Sequence, residues 1–202
     1  MNEIVLKGTI RNIKPSHTVN NIEYLQAEII TQRIDGKEDS NIIKFKKHIN
    51  KYRELDYAEL VGSIRSYTQP LQNGKNKVSI YVFTYQDSPT KTQIEETYNN
   101  HFVVDGRICK IEDIRKTSNG KQNLHFTVAN NIFTPNGQKI NNYLPVTCWG
   151  KLADKVSKMQ VNDQVIMSGE LHSRTYNATL ENGEKEFRVA HELLLTNIEV
   201  TN

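Results

Sequence analysis

Short runs rich in β-branched and aromatic residues recur along the chain, separated by Gly, Asn and Asp, the pattern of strands joined by turns. The clearest block runs from Tyr143 to Tyr176. Tyr143 to Trp149 reads as a strand, and Gly150 breaks it. Leu152, Val156 and Met159 then recur at helical spacing and predict one face of a short helix. Asn162-Asp163 marks a turn. Val165-Ile166-Met167 opens a second strand, which passes Gly169 and ends in a polar hairpin from His172 to Tyr176.

The same order of elements occurs twice. Gly8, inside the strand Ile4 to Ile10, corresponds to Gly106, inside Phe102 to Ile108. A glycine within a strand marks a bend or bulge, as at the corner of a small barrel. Asn20-Asn21 before Tyr24 to Ile30 corresponds to Asn119-Gly120 before Leu124 to Ala129, and Asp35-Gly36 corresponds to Asn136-Gly137. Ile42 to Phe45 matches Leu144 to Trp149, and Val61-Gly62-Ser63-Ile64 matches Ser168-Gly169-Glu170-Leu171. Asn73-Gly74 and Asn182-Gly183 are matching hairpin tips. They precede the last strands, Val78 to Tyr85 and Phe187 to Leu195. Ile49, Tyr52 and Leu55 predict a helix within His48 to Asp56 in the first copy. Each copy therefore offers five strands with one helix before the fourth, the pattern of the OB fold, a partly open Greek-key barrel. The expected fold class is all-β with short helices: two tandem five-stranded OB-fold barrels. The expected domains are residues 1–86 and 101–202, joined by a polar linker over 87–100.

Composition narrows this picture. A chain of 202 residues holds one or two domains. A hydrophobic share of 37% argues against thick double-sided sheets and suits small barrels. The formal net charge of +3 permits an anionic partner without requiring one. Cys109 and Cys148 have neither metal-ligand spacing nor a CxxC arrangement, and read as reduced, mostly buried thiols of a cytosolic protein. No apolar run reaches ~18 residues, so no membrane span is expected. The N-terminus enters Ile4-Val5-Leu6 without the shape of a signal peptide.

Catalytic chemistry finds no footing. The histidines are scattered with no HxxxH or HExxH spacing, and GxGxxG, the phosphate-loop lysine and GxSxG are all missing. Glu112-Asp113 and Glu181, Glu184 and Glu186 read as solvated loop ends without partners. No enzyme, metal or cofactor site is predicted. Aromatics interleaved with cations remain. The second copy has Phe133, Tyr143, Trp149 and Tyr176 near strand ends or loops. Lys121, Lys139, Lys151 and Arg174 lie close to them in sequence, and Arg107 sits in its first strand. Every base has a π face, so flat side chains hold unpaired bases without choosing among them, at roughly 1–3 kcal/mol per base. Lysine and arginine hold the phosphates. Trp149 reads equally as groove or barrel core, with Cys148 on the opposite face. In the first copy Lys44, Lys46 and Lys47 surround Phe45; Lys44 and Lys46 share one face and Phe45 takes the other. Arg33, Arg65, Tyr67, Lys51, Arg53, Lys75 and Lys77 add to the set. This reads either as an edge strand blunted by lysines or as the phosphate-tracking half of one groove. Trp149, Tyr176, Tyr143, Phe133, Tyr67 and Phe45 are the candidate stacking residues. Lys151, Arg174, Lys121, Lys139, Arg107, Lys44, Lys46, Lys47, Arg65 and Arg33 are the candidate phosphate contacts.

The stretches FVVDGRI, LHFTVAN, TCWGKLADKV and VIMSGELHSRTY give the second copy a resemblance to the bacterial and phage single-stranded DNA-binding protein family. The resemblance implies base stacking at or beside Phe133 and at Tyr143, Trp149 and Tyr176, with Lys151 and Arg174 as basic contacts. The first copy is linked to the family only through the internal repeat and has no tryptophan. A chain with two such barrels resembles the members in which a homodimer supplies four barrels. Members usually end in an acidic tail that recruits other proteins. Asn197 to Asn202 carries no acidic run, so tail-mediated recruitment is not expected, as would suit a phage or mobile-element form. The implied function is sequence-nonspecific binding and protection of single-stranded DNA in replication, recombination or transfer. Alternatives are a primosome-like assembly factor whose barrel faces hold proteins, and single-stranded RNA binding.

Overall fold

The computed structural model describes residues 1–49, 52–70, 76–84, 99–133, 137–179 and 185–201. The first half carries β1 (Asn2–Val19), β2 (Ile22–Gln32), β3 (Glu38–Lys46), β4 (Tyr57–Pro70) and β5 (Asn76–Thr84). The second carries β6 (Asn100–Ile111), the two-residue β7 (Arg115–Lys116), β8 (Gln122–Phe133) and β9 (Lys139–Trp149). The helix α1 (Lys151–Val156), β10 (Gln164–Thr179) and β11 (Lys185–Val200) follow. The Asn-Gly hairpin tips, and Lys51 and Lys75, lie outside the described residues.

Both halves close into rings with the same pairing. β1 runs antiparallel to β2 and to β4, β2 to β3, and β4 to β5. A short parallel step, Ile43 beside Val82, joins β3 to β5. In the second half β6, β8, β9, β11 and β10 close in the same order, with Val146 beside Leu193 at the parallel step. The fold is all-β, as expected. Alternate residues turn inward: Ile43 and Phe45 on β3, Leu124, Phe126 and Val128 on β8, all fully or almost fully buried in one continuous apolar cluster. β3 is flanked on both sides, so the reading of its lysines as edge protection is overturned. Cys148 is buried and its thiol is pushed up to about 12 by burial. Cys109, expected inside, is exposed.

The repeated glycines explain the corners. A Cβ on Gly8 would lie 2.1 Å from the carbonyl oxygen of Ile30, and one on Gly106 would lie 2.7 Å from that of Ala129. In each half the bent first strand touches the backbone of the second, which only a missing side chain permits. The short helix expected after Gly150 is present, though it ends before Met159, and the one expected within His48 to Asp56 is not found among the described residues. α1 spans six residues, burying Ala153 and Val156. Between His48 and Asp56 the described residues hold only a 3₁₀ turn over Lys47–Ile49. Tyr52 packs edge-on against Phe45 at 5.6 Å, and Leu55 takes a left-handed conformation, φ 71°.

The halves join about a local two-fold. Equivalent strands pair with each other, β1 with β6, centred on Ile4 beside Phe102. Asn2 exchanges two hydrogen bonds with Ile64 of β4, and Asn100 does the same with Leu171 of β10. The flanking seams repeat as well. The Ser173 amide donates to Asp39 (2.6 Å) and the Ser40 amide to Ser173 Oγ (2.8 Å). On the other side the Ser66 amide donates to Asn142 (3.1 Å) and the Tyr143 amide to Ser66 Oγ (2.9 Å). These bonds fix a cleft between the two halves.

Candidate nucleic-acid interface

The β8–β9 ladder places Phe133 opposite Lys139, Ala129 opposite Tyr143 and Asn123 opposite Trp149. Strand alternation and this register put Phe133, Tyr143 and Trp149 on one face. All three rings are exposed, at 67%, 48% and 39%, while Cys148 and Leu144 beside them point into the barrel. Six residues of strand set Tyr143 and Trp149 apart by about 20 Å. Lys139 is exposed at the Phe133 end. At the Trp149 end Lys151 opens α1, and the Gly150 amide bonds the Gln122 carbonyl (3.0 Å), which brings Lys121 alongside. The face carries rings spaced along a strand with cations at both ends.

A cleft of about 910 Å³ lies between the halves. The first half lines it with His17, Tyr24, Phe83 and Tyr81, and with Lys44, Lys46 and Arg65; the second half adds Phe133, Ile132, Ile140 and Asn142. The His17 and Tyr24 rings stack at 4.7 Å with 2° between their planes. Burial, then the charge of Lys44, holds His17 below the usual histidine range, so its ring carries little charge at neutral pH. A smaller cavity of about 300 Å³ adjoins, where Tyr176 of the second half meets Tyr67, Tyr81 and Lys44 of the first. Lys44 Nζ sits 4.4 Å from the Tyr81 ring centre and 5.5 Å from that of Tyr67, both cation–π distances. Arg174 lies over the Tyr176 ring at 5.9 Å and within 3.8 Å of Glu192.

Rings and cations on an open face, with no metal-binding group of carboxylates, cysteines or histidines among the described residues, describe a surface that holds flat polyanions. The single-strand binding protein family model matches residues 99–200, half of the chain. The chain belongs to the single-strand binding protein family. This is a family of non-enzymatic DNA-binding proteins. Single-stranded DNA-binding protein 1 of Clostridium acetobutylicum is 32% identical over 81 residues, 38% of this chain and 74% of that protein. The crystal structure of the wild-type single-stranded DNA binding protein from Thermus aquaticus matches 100% of this chain and 93% of its own, with a TM-score of 0.69 at 14% identity. A deletion mutant of that protein gives 0.68 at 14% identity, covering 100% and 95%. At such identity these two report the fold alone.

The structure divides the expected residues of this family member into groups. Phe133, Tyr143 and Trp149 share the β8–β9 face. Tyr67 and Tyr176 share the cavity with Lys44, and Lys46 and Arg65 line the larger cleft. Two expectations are corrected. Phe45 is fully buried, because alternation turns it away from Lys44 and Lys46, so no base can reach it. Arg33 is locked into the seam: its Nε bonds buried Asp39 at 2.7 Å and its Nη2 bonds Asp39 and the Ser173 carbonyl. Hydrogen bonding to Asp39 raises its pKa further, and its charge is already paired with that buried carboxylate. Lys47 pairs with Glu23, and Arg107 Nη1 donates to the Asn162 carbonyl (3.0 Å). Both lie outside the two aromatic groups. Glu112, read as unpartnered, pairs with Lys110 (2.8 Å) and Arg115 (2.9 Å). Sequence reasoning missed Tyr24, Tyr81, Phe83 and His17. The signal was available in β5, where Ile80 and Val82 face the core and Tyr81 and Phe83 must therefore face away.

Proposed function

We propose that this chain binds single-stranded DNA with little sequence preference and stacks its bases on the outer face of β8–β9. The observation that carries this reading is the exposure of Phe133, Tyr143 and Trp149 on one strand face. Stacking accepts any base and needs the π faces that a duplex hides, while Lys121, Lys139 and Lys151 supply phosphate contacts. Shielding exposed strands during replication, recombination or transfer is the cellular role attached to this chemistry. Two domains, residues 1–86 and 101–202 joined over 87–100, belong to the same reading and are supported by the two closed rings. So does a homodimer presenting four barrels, for which sedimentation with oligo-dT of graded length gives subunit number and footprint together.

Trp149 is the one tryptophan, so its emission reports this face directly. Oligo-dT is expected to quench it, with affinity falling in salt by a slope of about −0.7 per phosphate contacted. Trp149→Ala should weaken binding by roughly five- to a hundredfold, the equivalent of 1–3 kcal/mol of stacking, without unfolding the chain. Unchanged emission and unchanged electrophoretic mobility at low salt would refute the reading.

A further inference from the structure

The parallel steps that close the two barrels bring Ile43 beside Val82 and Val146 beside Leu193. The glycines that approach Phe83 O and Leu194 O, Gly62 and Gly169, fix the same alignment of the halves. Counting outward along β3 and β9, Lys46 stands where Trp149 stands. On the neighbouring strand, Tyr24 faces Lys46 as Asn123 faces Trp149. The ring and the polar group have exchanged strands across the ladder. The first half has therefore kept an aromatic at this station and moved it from the third strand to the second.

His17 is stacked flat beneath Tyr24, making a two-ring platform. Lys44, Lys46 and Arg65 line the same cleft, and no carboxylate does so among the described residues. Asn142 is buried at 1% exposure, lines the cleft, and its side-chain amide donor has no hydrogen-bond partner. A buried donor without an acceptor is costly, and a phosphate oxygen or base carbonyl would satisfy it. Phe133 belongs both to the outer β8–β9 face and to the cleft lining, so the two surfaces are continuous at that ring.

We propose that the cleft between the halves is a second single-strand site. Tyr24 and His17 stack bases there, Lys46 and Lys44 hold phosphate, and Asn142 donates to the nucleotide from the far wall. The strand reaches it from the outer face around Phe133. The proposal rests on the single-strand reading above and extends it to residues that neither the family motif nor the repeat identifies.

The test uses the full chain with two readouts on an oligo-dT length series: Trp149 emission, which senses the outer face, and fluorescence anisotropy of labelled DNA, which senses all binding. Tyr24→Ala is expected to lower the anisotropy affinity for long oligomers by roughly five- to a hundredfold, as the loss of about one stacked base does. Short oligomers should still quench Trp149 to the wild-type extent. Tyr24→Phe should restore the long-oligomer affinity, which a merely folding-related loss would not require; circular dichroism checks that each variant is folded. Wild-type affinity of Tyr24→Ala at every length overturns the proposal, as does a Tyr24→Phe variant no better than Tyr24→Ala. Absence of any binding or quenching by the wild-type chain instead overturns the underlying single-strand reading.

Discussion

At the scale of single residues, one question decides between groove and core: which way an aromatic on a strand points. Phe45 and Trp149 both sit near the end of a third strand among polar neighbours, yet Phe45 is fully buried and Trp149 is 39% exposed. Phe45→Ala should destabilise the fold by about 3–5 kcal/mol, the usual cost of emptying a buried aromatic site, and urea titration would register it. The outward Trp149 should tolerate the same change with a far smaller shift in the urea midpoint. Alternation set Lys44 and Lys46 opposite Phe45 but did not say which face was inward, so the ring expected to stack bases is core. The partnership of Arg33 with Asp39 was not legible, because five residues separate the two and a serine from the other half completes it. Tyr24 and His17 were equally silent: they lie on different strands, and only the β1–β2 register brings them together.

At the scale of elements, the duplicated strand order and the corner glycines were readable, since periodicity and a missing side chain are local properties. The short helix after β9 was readable too, from the spacing of Leu152 and Val156; the one expected before β4 was not borne out. The segment before β4 has apolar residues at helical spacing, yet its end is pinned to β1: the Leu55 amide donates to the Ile10 carbonyl (2.9 Å) and the Ile10 amide to the Asp56 carbonyl (2.8 Å). The second half makes the same pair through Asn162 and Asp163 onto Ile108 (2.8 and 3.0 Å). Both turn residues are left-handed, with φ 71° for Leu55 and 84° for Asn162. Asparagine tolerates that region, whereas leucine pays for it sterically. Leu55 is largely exposed, so little burial is lost by replacing it. Leu55→Asn should therefore stabilise the chain by about 0.5–1 kcal/mol, seen as a higher urea midpoint with an unchanged slope. An unchanged or lower midpoint would count against the strain.

At the scale of the whole molecule, the two barrels are joined by polar groups as well as by strand pairing. His191 of β11 lies within hydrogen-bond distance of the Ser40 carbonyl (2.9 Å) across the seam. Burial lowers its pKa below the usual 6.5, against the opposing pull of that carbonyl, Asp39 and Glu28. A histidine depressed in the folded state binds its proton more readily when unfolded. Its contribution is complete above pH 6.5 and is lost as the pH falls below that value toward the folded pKa. The urea midpoint should therefore drop between pH 7.5 and 5.5, values that bracket the ordinary histidine range, and His191→Gln should flatten that drop. His17, shifted the same way, would leave a residual slope. An equally steep drop in His191→Gln would remove the seam from the explanation.

The pairing of β1 with β6 about Ile4 and Phe102 has a consequence for any polymer laid over both halves. A two-fold axis reverses direction, and a nucleic acid reads differently from 5′ to 3′ than from 3′ to 5′. A strand drawn straight across the molecule meets the second barrel in one polarity and the first in the other, so two identical surfaces could not both suit it. The exchange of ring and polar partner between Trp149–Asn123 and Lys46–Tyr24 breaks that identity where polarity would be felt.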